Sequence, residues 1–87
     1  MKRIYKYSVG IVSRQAIIMP KNAAILSIQF QDGSLCMWAL VNPEAPNESR
    51  TFAVIGTGHD FPHDVDWTYL ATVQDGSYIW HIFEVKE

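Results

Sequence analysis

The tetrapeptide Gln-Asp-Gly-Ser occurs twice, at Gln31–Ser34 and Gln74–Ser77, and each copy lies between runs of alternating apolar residues. Asp-Gly supplies two residues that take positive φ at low cost, which a type I′ turn needs to join antiparallel strands. Two tight hairpins are therefore expected. The copies begin 74 − 31 = 43 residues apart in a chain of 87, so a duplicated half-barrel is one reading. The likeness fades outside the tetrapeptide, and the plainer reading is that two hairpins use the same turn chemistry.

Val, Ile, Tyr, Phe, Trp and Thr dominate the rest of the chain, and no window shows a long helical stripe with caps. Seven strands are predicted, over 2–7, 14–19, 23–31, 34–42, 50–56, 66–74 and 77–86. The expected fold class is a single all-β antiparallel domain over 1–87, closed as a barrel or stacked as a sandwich. The stretch Asn42–Ser49, with Pro43, Pro46, Glu44 and Glu48, is expected to be an exposed loop.

Side-chain alternation assigns faces. Ala24, Leu26, Ile28 and Phe30 are expected on one side of the third strand, with Ser27, Gln29 and Gln31 on the other. The fourth strand is apolar on both sides, with Leu35, Met37, Ala39 and Val41 opposed to Cys36, Trp38 and Leu40. The last strand repeats this, with Tyr78, Trp80 and Ile82 opposed to Ile79, Phe83 and Val85. One small domain offers one interior, so the second apolar faces imply a closed barrel with a capped outside or a subunit interface, and the interface is the expectation.

Composition supports that expectation. The chain is 48% hydrophobic and 18% charged, and 87 residues bury too little surface to be more than marginally stable alone. A single cysteine leaves no disulfide within the chain. A net charge of −2 argues against nonspecific nucleic-acid binding, and no run of about 18 apolar residues is present to span a membrane. No apolar run of signal-peptide length follows the basic start, so the mature chain is expected to begin at Met1 and to reside in the cytoplasm.

The densest polar cluster is Gly56-Thr57-Gly58-His59-Asp60-Phe61-Pro62-His63-Asp64-Val65-Asp66. Backbone N–H groups of a Gly-Thr-Gly turn make an anion nest, to which the Thr57 hydroxyl and His59 add donors. His59 and His63 with Asp60, Asp64 or Asp66 form an alternative metal set. Pro62 disfavours the helix that the His59–His63 spacing would need, so no metal ligands are assigned. The structural alternative is a solvated loop. Arg50, leading into the strand that ends at Gly56, is the candidate countercharge. Trp38, Trp67 and Trp80, with Tyr5, Tyr7, Tyr69 and Tyr78, offer flat faces for a nucleobase or serve as core and interface anchors, and Trp38 or Trp67 is the candidate stacking platform. His81, in an apolar strand, reads as a neutral imidazole making one hydrogen bond, or as a ligand contact. Cys36 reads as a core residue. No nucleophile elbow, Cys-x-x-Cys pair or repeated carboxylate dyad appears, and no cofactor is expected.

Met1-Lys2-Arg3-Ile4-Tyr5-Lys6-Tyr7, Met19-Pro20, Ala24-Ile25-Leu26-Ser27, Cys36-Met37-Trp38-Ala39-Leu40-Val41 and Arg50-Thr51-Phe52 through Gly56-Thr57-Gly58-His59 resemble a family of short uncharacterised proteins of phages, prophages and their hosts. The resemblance implies a phage setting, with a host-cell cytoplasmic location, and no catalytic residues. In that setting the expected function is non-catalytic: a homo-oligomer that sequesters a small anionic ligand, such as a cyclic nucleotide immune signal. Gly56, Thr57, Gly58 and His59 would be the anion donors, Arg50 the countercharge and Trp38 or Trp67 the platform. The alternatives are a module that binds and inhibits a host protein, and a metal-assisted phosphodiesterase using His59, His63 and an Asp.

Overall fold

The structure is a computed structural model that describes residues 1–86. Seven antiparallel strands form: β1 (Arg3–Ser8), β2 (Gln15–Pro20), β3 (Ala24–Gln31), β4 (Ser34–Val41), β5 (Asn47–Gly56), β6 (Asp66–Asp75) and β7 (Tyr78–Lys86). They make two sheets, one ordered β1-β4-β3 and the other β2-β5-β7-β6. The choice between barrel and sandwich is thus a two-sheet sandwich. The chain moves between sheets at β1–β2, β2–β3 and β4–β5, while the two hairpins each stay within one sheet.

The core lies between the sheets, where Phe52, Met19, Met37, Ile82 and Val41 are fully buried. Alternation accounts for most of this. The odd-numbered residues of β4 face inward, and Trp80 and Ile82 of β7 meet them from the other sheet. No fully buried residue among those described is polar or charged, so the centre carries little desolvation cost.

The identical tetrapeptides make different turns. Asp32 and Gly33 both have positive φ, 51° and 82°, and join Gln31 to Ser34, the type I′ geometry expected. In the second hairpin Asp75 pairs with Tyr78, so the loop is Gly76-Ser77, and only Gly76 has positive φ, at 60°. That is the pattern of a type II′ turn, with glycine at the first central position. The turn has slid by one residue because the pairing of Val73 with Trp80 and Ala71 with Ile82 sets where the strands end.

Alternation fails in β3. A bulge lies between Ile25 and Ser27, so Ile25 sits opposite Ala39 and packs on the core, while Ala24 and Leu26 turn outward. Ile28 and Phe30, beyond the bulge, face inward as expected. The extra residue shifts the side-chain phase by one. β6 has the same irregularity between Tyr69 and Ala71. The expected loop over Asn42–Ser49 is shorter than predicted, because β5 begins at Asn47 to pair with Pro20.

The expectation that both second faces need another subunit is in part corrected. The outer side of the four-stranded sheet is covered in part by its own chain, with Trp67 and Tyr69 left half exposed. Phe61 and Val65, from the segment between β5 and β6, pack on Ala53, Ile55, Val85 and Phe83 to form a second apolar cluster. On the outer side of the three-stranded sheet, Cys36 is buried, and Lys6 lies 5.9 Å over the Trp38 ring while donating a hydrogen bond to Gln31.

Candidate functional site

β5 ends at Gly56, and its pairing with β7 sets Gly56 opposite Trp80. The turn that follows is closed by the His59 N–H donating to the Gly56 carbonyl at 3.0 Å, and Gly58 takes a φ of 87° that L residues avoid. The chain then folds the His59 ring back over Gly56. A Cβ at Gly56 would lie 2.8 Å from ring atoms of His59 and 3.2 Å from the Trp80 ring, so only glycine fits without displacement. His59 meets Trp80 edge-on at 6.4 Å, and Tyr78 stacks with Trp80 at 6.0 Å with planes 16° apart. A shallow groove of about 360 Å³ results, lined by Gly56, Thr57, His59, Ser77, Tyr78 and Trp80.

Beside it runs a chain of side-chain hydrogen bonds drawn from three segments. The Thr57 hydroxyl bonds His81 Nε2 at 2.8 Å, the Thr72 hydroxyl bonds His81 Nδ1 at 3.0 Å, and the Tyr69 hydroxyl bonds Thr72 at 2.8 Å. Both ring nitrogens of His81 have partners, one more than sequence suggests. A neutral imidazole satisfies this by donating from one nitrogen and accepting at the other, since each hydroxyl serves either role.

The other predicted residues lie elsewhere. Arg50 is six residues from Gly56 along β5, roughly 20 Å away at strand spacing. Its Nε and Nη2 donate to the two oxygens of Glu84 at 2.7 Å each, and its Nη1 donates to the Ala23 carbonyl at 2.6 Å. Glu84's hydrogen bonds outweigh burial and raise the Arg50 pKa, so the guanidinium is charged and committed. Trp38 stands on the opposite sheet. Trp67 belongs to a cluster in which Phe61 and Phe83 each meet it edge-on at 5.5 Å, and half of its surface remains exposed.

The anion nest is altered at the level of the backbone. The Thr57 N–H donates to the Ile79 carbonyl of β7 at 3.2 Å and the His59 N–H closes the turn on Gly56, so both of these expected donors are already engaged. His63 and Asp64 face solvent 3.5 Å apart. No group of three or more His, Cys, Asp or Glu among the described residues is arranged to hold a metal. Cys36 is buried, with its thiol against the Ser34 carbonyl.

The structure therefore brings Gly56, Thr57, Gly58 and His59 together, and separates them from Arg50, Trp38 and Trp67. The aromatic residues at the turn are Trp80 and Tyr78. The sequence carries a signal for them. A glycine ending one inner strand marks a close approach, and Trp80 is the large residue that antiparallel pairing brings there.

The fold and groove define a small two-sheet β domain with a shallow aromatic recess at one end. The chain belongs to the family described as Domain of unknown function (DUF7352), whose profile matches residues 1–87. No curated protein and no solved structure matches it. Among the described residues no helix is long and apolar enough to cross a membrane.

Proposed function

We propose that this chain is a non-catalytic binding protein that captures a small nucleotide-type ligand in the groove between the Gly56–His59 turn and the Tyr78–Trp80 pair. The observation that carries this reading is the Gly56–Trp80 register, which gives one wall both an aromatic face and a polar turn. Stacking on such a face is worth about 1–3 kcal/mol per base. The His59 ring and the Ser77 hydroxyl supply polar contacts along the rim.

Arg50 is occupied by Glu84, so the charge of a phosphate has to be met from outside the chain's own groove. Self-association is therefore part of the proposal. In a phage setting, with the protein in the host cytoplasm, such an assembly would act as a sponge for a nucleotide immune signal. A second reading, docking on a host protein, is favoured by the half-exposed rings of Trp67 and Tyr69 on the outer face of the four-stranded sheet.

Calorimetric titration against cyclic and linear nucleotides and their nucleosides tests the first reading. A dissociation constant below about a micromolar is expected, weakened about tenfold or more by Tyr78→Ala, which removes a ring that is 65% exposed and outside the core. Absence of binding at tens of micromolar for every compound overturns it. A stoichiometric host protein whose retention depends on Trp67 would establish the second reading instead.

A further inference from the structure

Edge strands present unpaired backbone N–H and C=O groups, and proteins blunt them with charge, bulges, proline or cover. This sandwich has four edges: β1 and β3 in one sheet, β2 and β6 in the other. β1 carries Arg3 and Lys6. β3 is bulged at Leu26 and β6 at Leu70, and these two strands lie where the sheets approach most closely. β2 carries neither charge nor bulge, and its one blunting residue is Pro20 at the strand's last position. Its residues Gln15–Pro20 include no charge, its register with β5 runs without interruption, and Ile18 is 58% exposed.

The direction of its free backbone groups follows from one bond. The Lys21 N–H donates to the Pro46 carbonyl at 2.8 Å, continuing the β2–β5 register by one position. Bonded pairs alternate along an antiparallel ladder, so Gln15, Ile17 and Met19 turn their backbone groups to β5. Ala16 and Ile18 then present N–H and C=O outward. Pro20 falls in the outward set, where its missing N–H costs β5 nothing.

We propose that β2 pairs antiparallel with β2 of a second copy about a two-fold axis at Ile17, joining two four-stranded sheets into one of eight strands. In this register Ala16 of each copy faces Ile18 of the other, and their outward groups exchange about four hydrogen bonds. Inward side chains meet inward ones, and Ile18 is covered across the axis. Lys21 lies opposite Ser13, and Arg14 opposite Pro20. A shift that set Ile17 against Ile18 would join core-facing to solvent-facing positions and confront Arg14 with Lys21. The pairing uses the Ala16–Ile18 stretch, the least blunted edge among the described strands, and leaves no second such stretch on either copy, so the assembly closes at two.

This inference rests on the self-association in the proposed function and names its surface; ligand capture does not enter it. Sedimentation velocity over a range of concentrations tests it. The wild type is expected at about twice 9.9 kDa. Ala16→Pro removes an outward N–H while keeping the β2–β5 ladder, and Ile18→Lys adds the charge that edges normally carry. Each should raise the concentration for half-dissociation about tenfold or more while keeping a cooperative thermal melt by circular dichroism. Leu26→Lys, on the bulged β3 edge, should leave the mass unchanged. A wild type that is monomeric at roughly 500 micromolar, an assembly indifferent to both β2 substitutions, or one dissolved by Leu26→Lys overturns the proposal. A monomer that still binds nucleotide would overturn this interface together with the self-association in the proposed function, and leave standing only ligand capture in the Gly56–Trp80 groove.

Discussion

Gly56 is the residue on which strand end, turn and groove all depend. Its missing Cβ leaves room for the His59 ring and for Trp80. Gly56→Ala is expected to destabilise the protein by about 1 kcal/mol through this crowding. His59→Ala in the same background should recover most of that loss, because an exposed imidazole is the nearer obstacle. Equal losses with and without His59, measured by urea denaturation, would show that Trp80 is the obstacle instead. Tyr7 presents a different case, since its hydroxyl is buried with no hydrogen-bond partner among the described residues. Burial first, and Tyr5 second, raise its pKa above the ordinary tyrosine value. The neutral form is favoured in the folded state, so this contribution to stability is present below about pH 10 and is lost as pH rises through the folded value. Tyr7→Phe should therefore be neutral or stabilising by up to about 1 kcal/mol at pH 7, with a shallower alkaline loss. A clear destabilisation at pH 7 in chemical denaturation would show that the hydroxyl has a partner.

Elements show how tertiary pairing overrules local pattern. The runs that became strands were legible because Val, Ile and aromatic residues recur with turn residues between them. The bulge at Leu26 was not, since Ala24-Ile25-Leu26-Ser27 alternates equally well in either phase and only the partner β4 selects one. The loop between β5 and β6 reads as polar from its His and Asp residues, yet Phe61 and Val65 make it a cover over the outer sheet face. Phe61→Ala should cost about 2 kcal/mol, less than for a fully buried Phe, and should increase binding of a hydrophobic dye. Unchanged stability would mean that the segment is not held by this cluster. At the other end of the sandwich, the side chains of the Arg50–Glu84 pair are 16% and 18% exposed, and the pair ties β5 to β7 and to the Ala23 carbonyl. Arg50→Met alone is expected to cost about 2 kcal/mol by stranding Glu84, and adding Glu84→Met should restore most of it. A double variant as unstable as the single one would assign the loss to Ala23 rather than to the ion pair.

At the scale of the whole molecule the sandwich is flat, with backbone extents of 41 × 33 × 15 Å. A thin two-sheet domain has much surface for its core, so binding to the folded state changes its stability visibly. If β2 joins two copies, the melting temperature should rise with protein concentration in the wild type and become constant in Ala16→Pro. Concentration-independent melting of the wild type would count against the paired edge. The sequence by itself determined the all-β class, the seven strands, both hairpins, the core faces of β4 and β7 and the polar Gly56–His59 turn. These follow from local propensity and alternation, which act within a few residues. Tertiary structure alone decided the sandwich, the two bulges, the commitment of Arg50 to Glu84, and the meeting of Trp80 and Tyr78 with the turn. Each depends on which strands lie side by side and in what register, a matter of long-range packing that no single segment encodes.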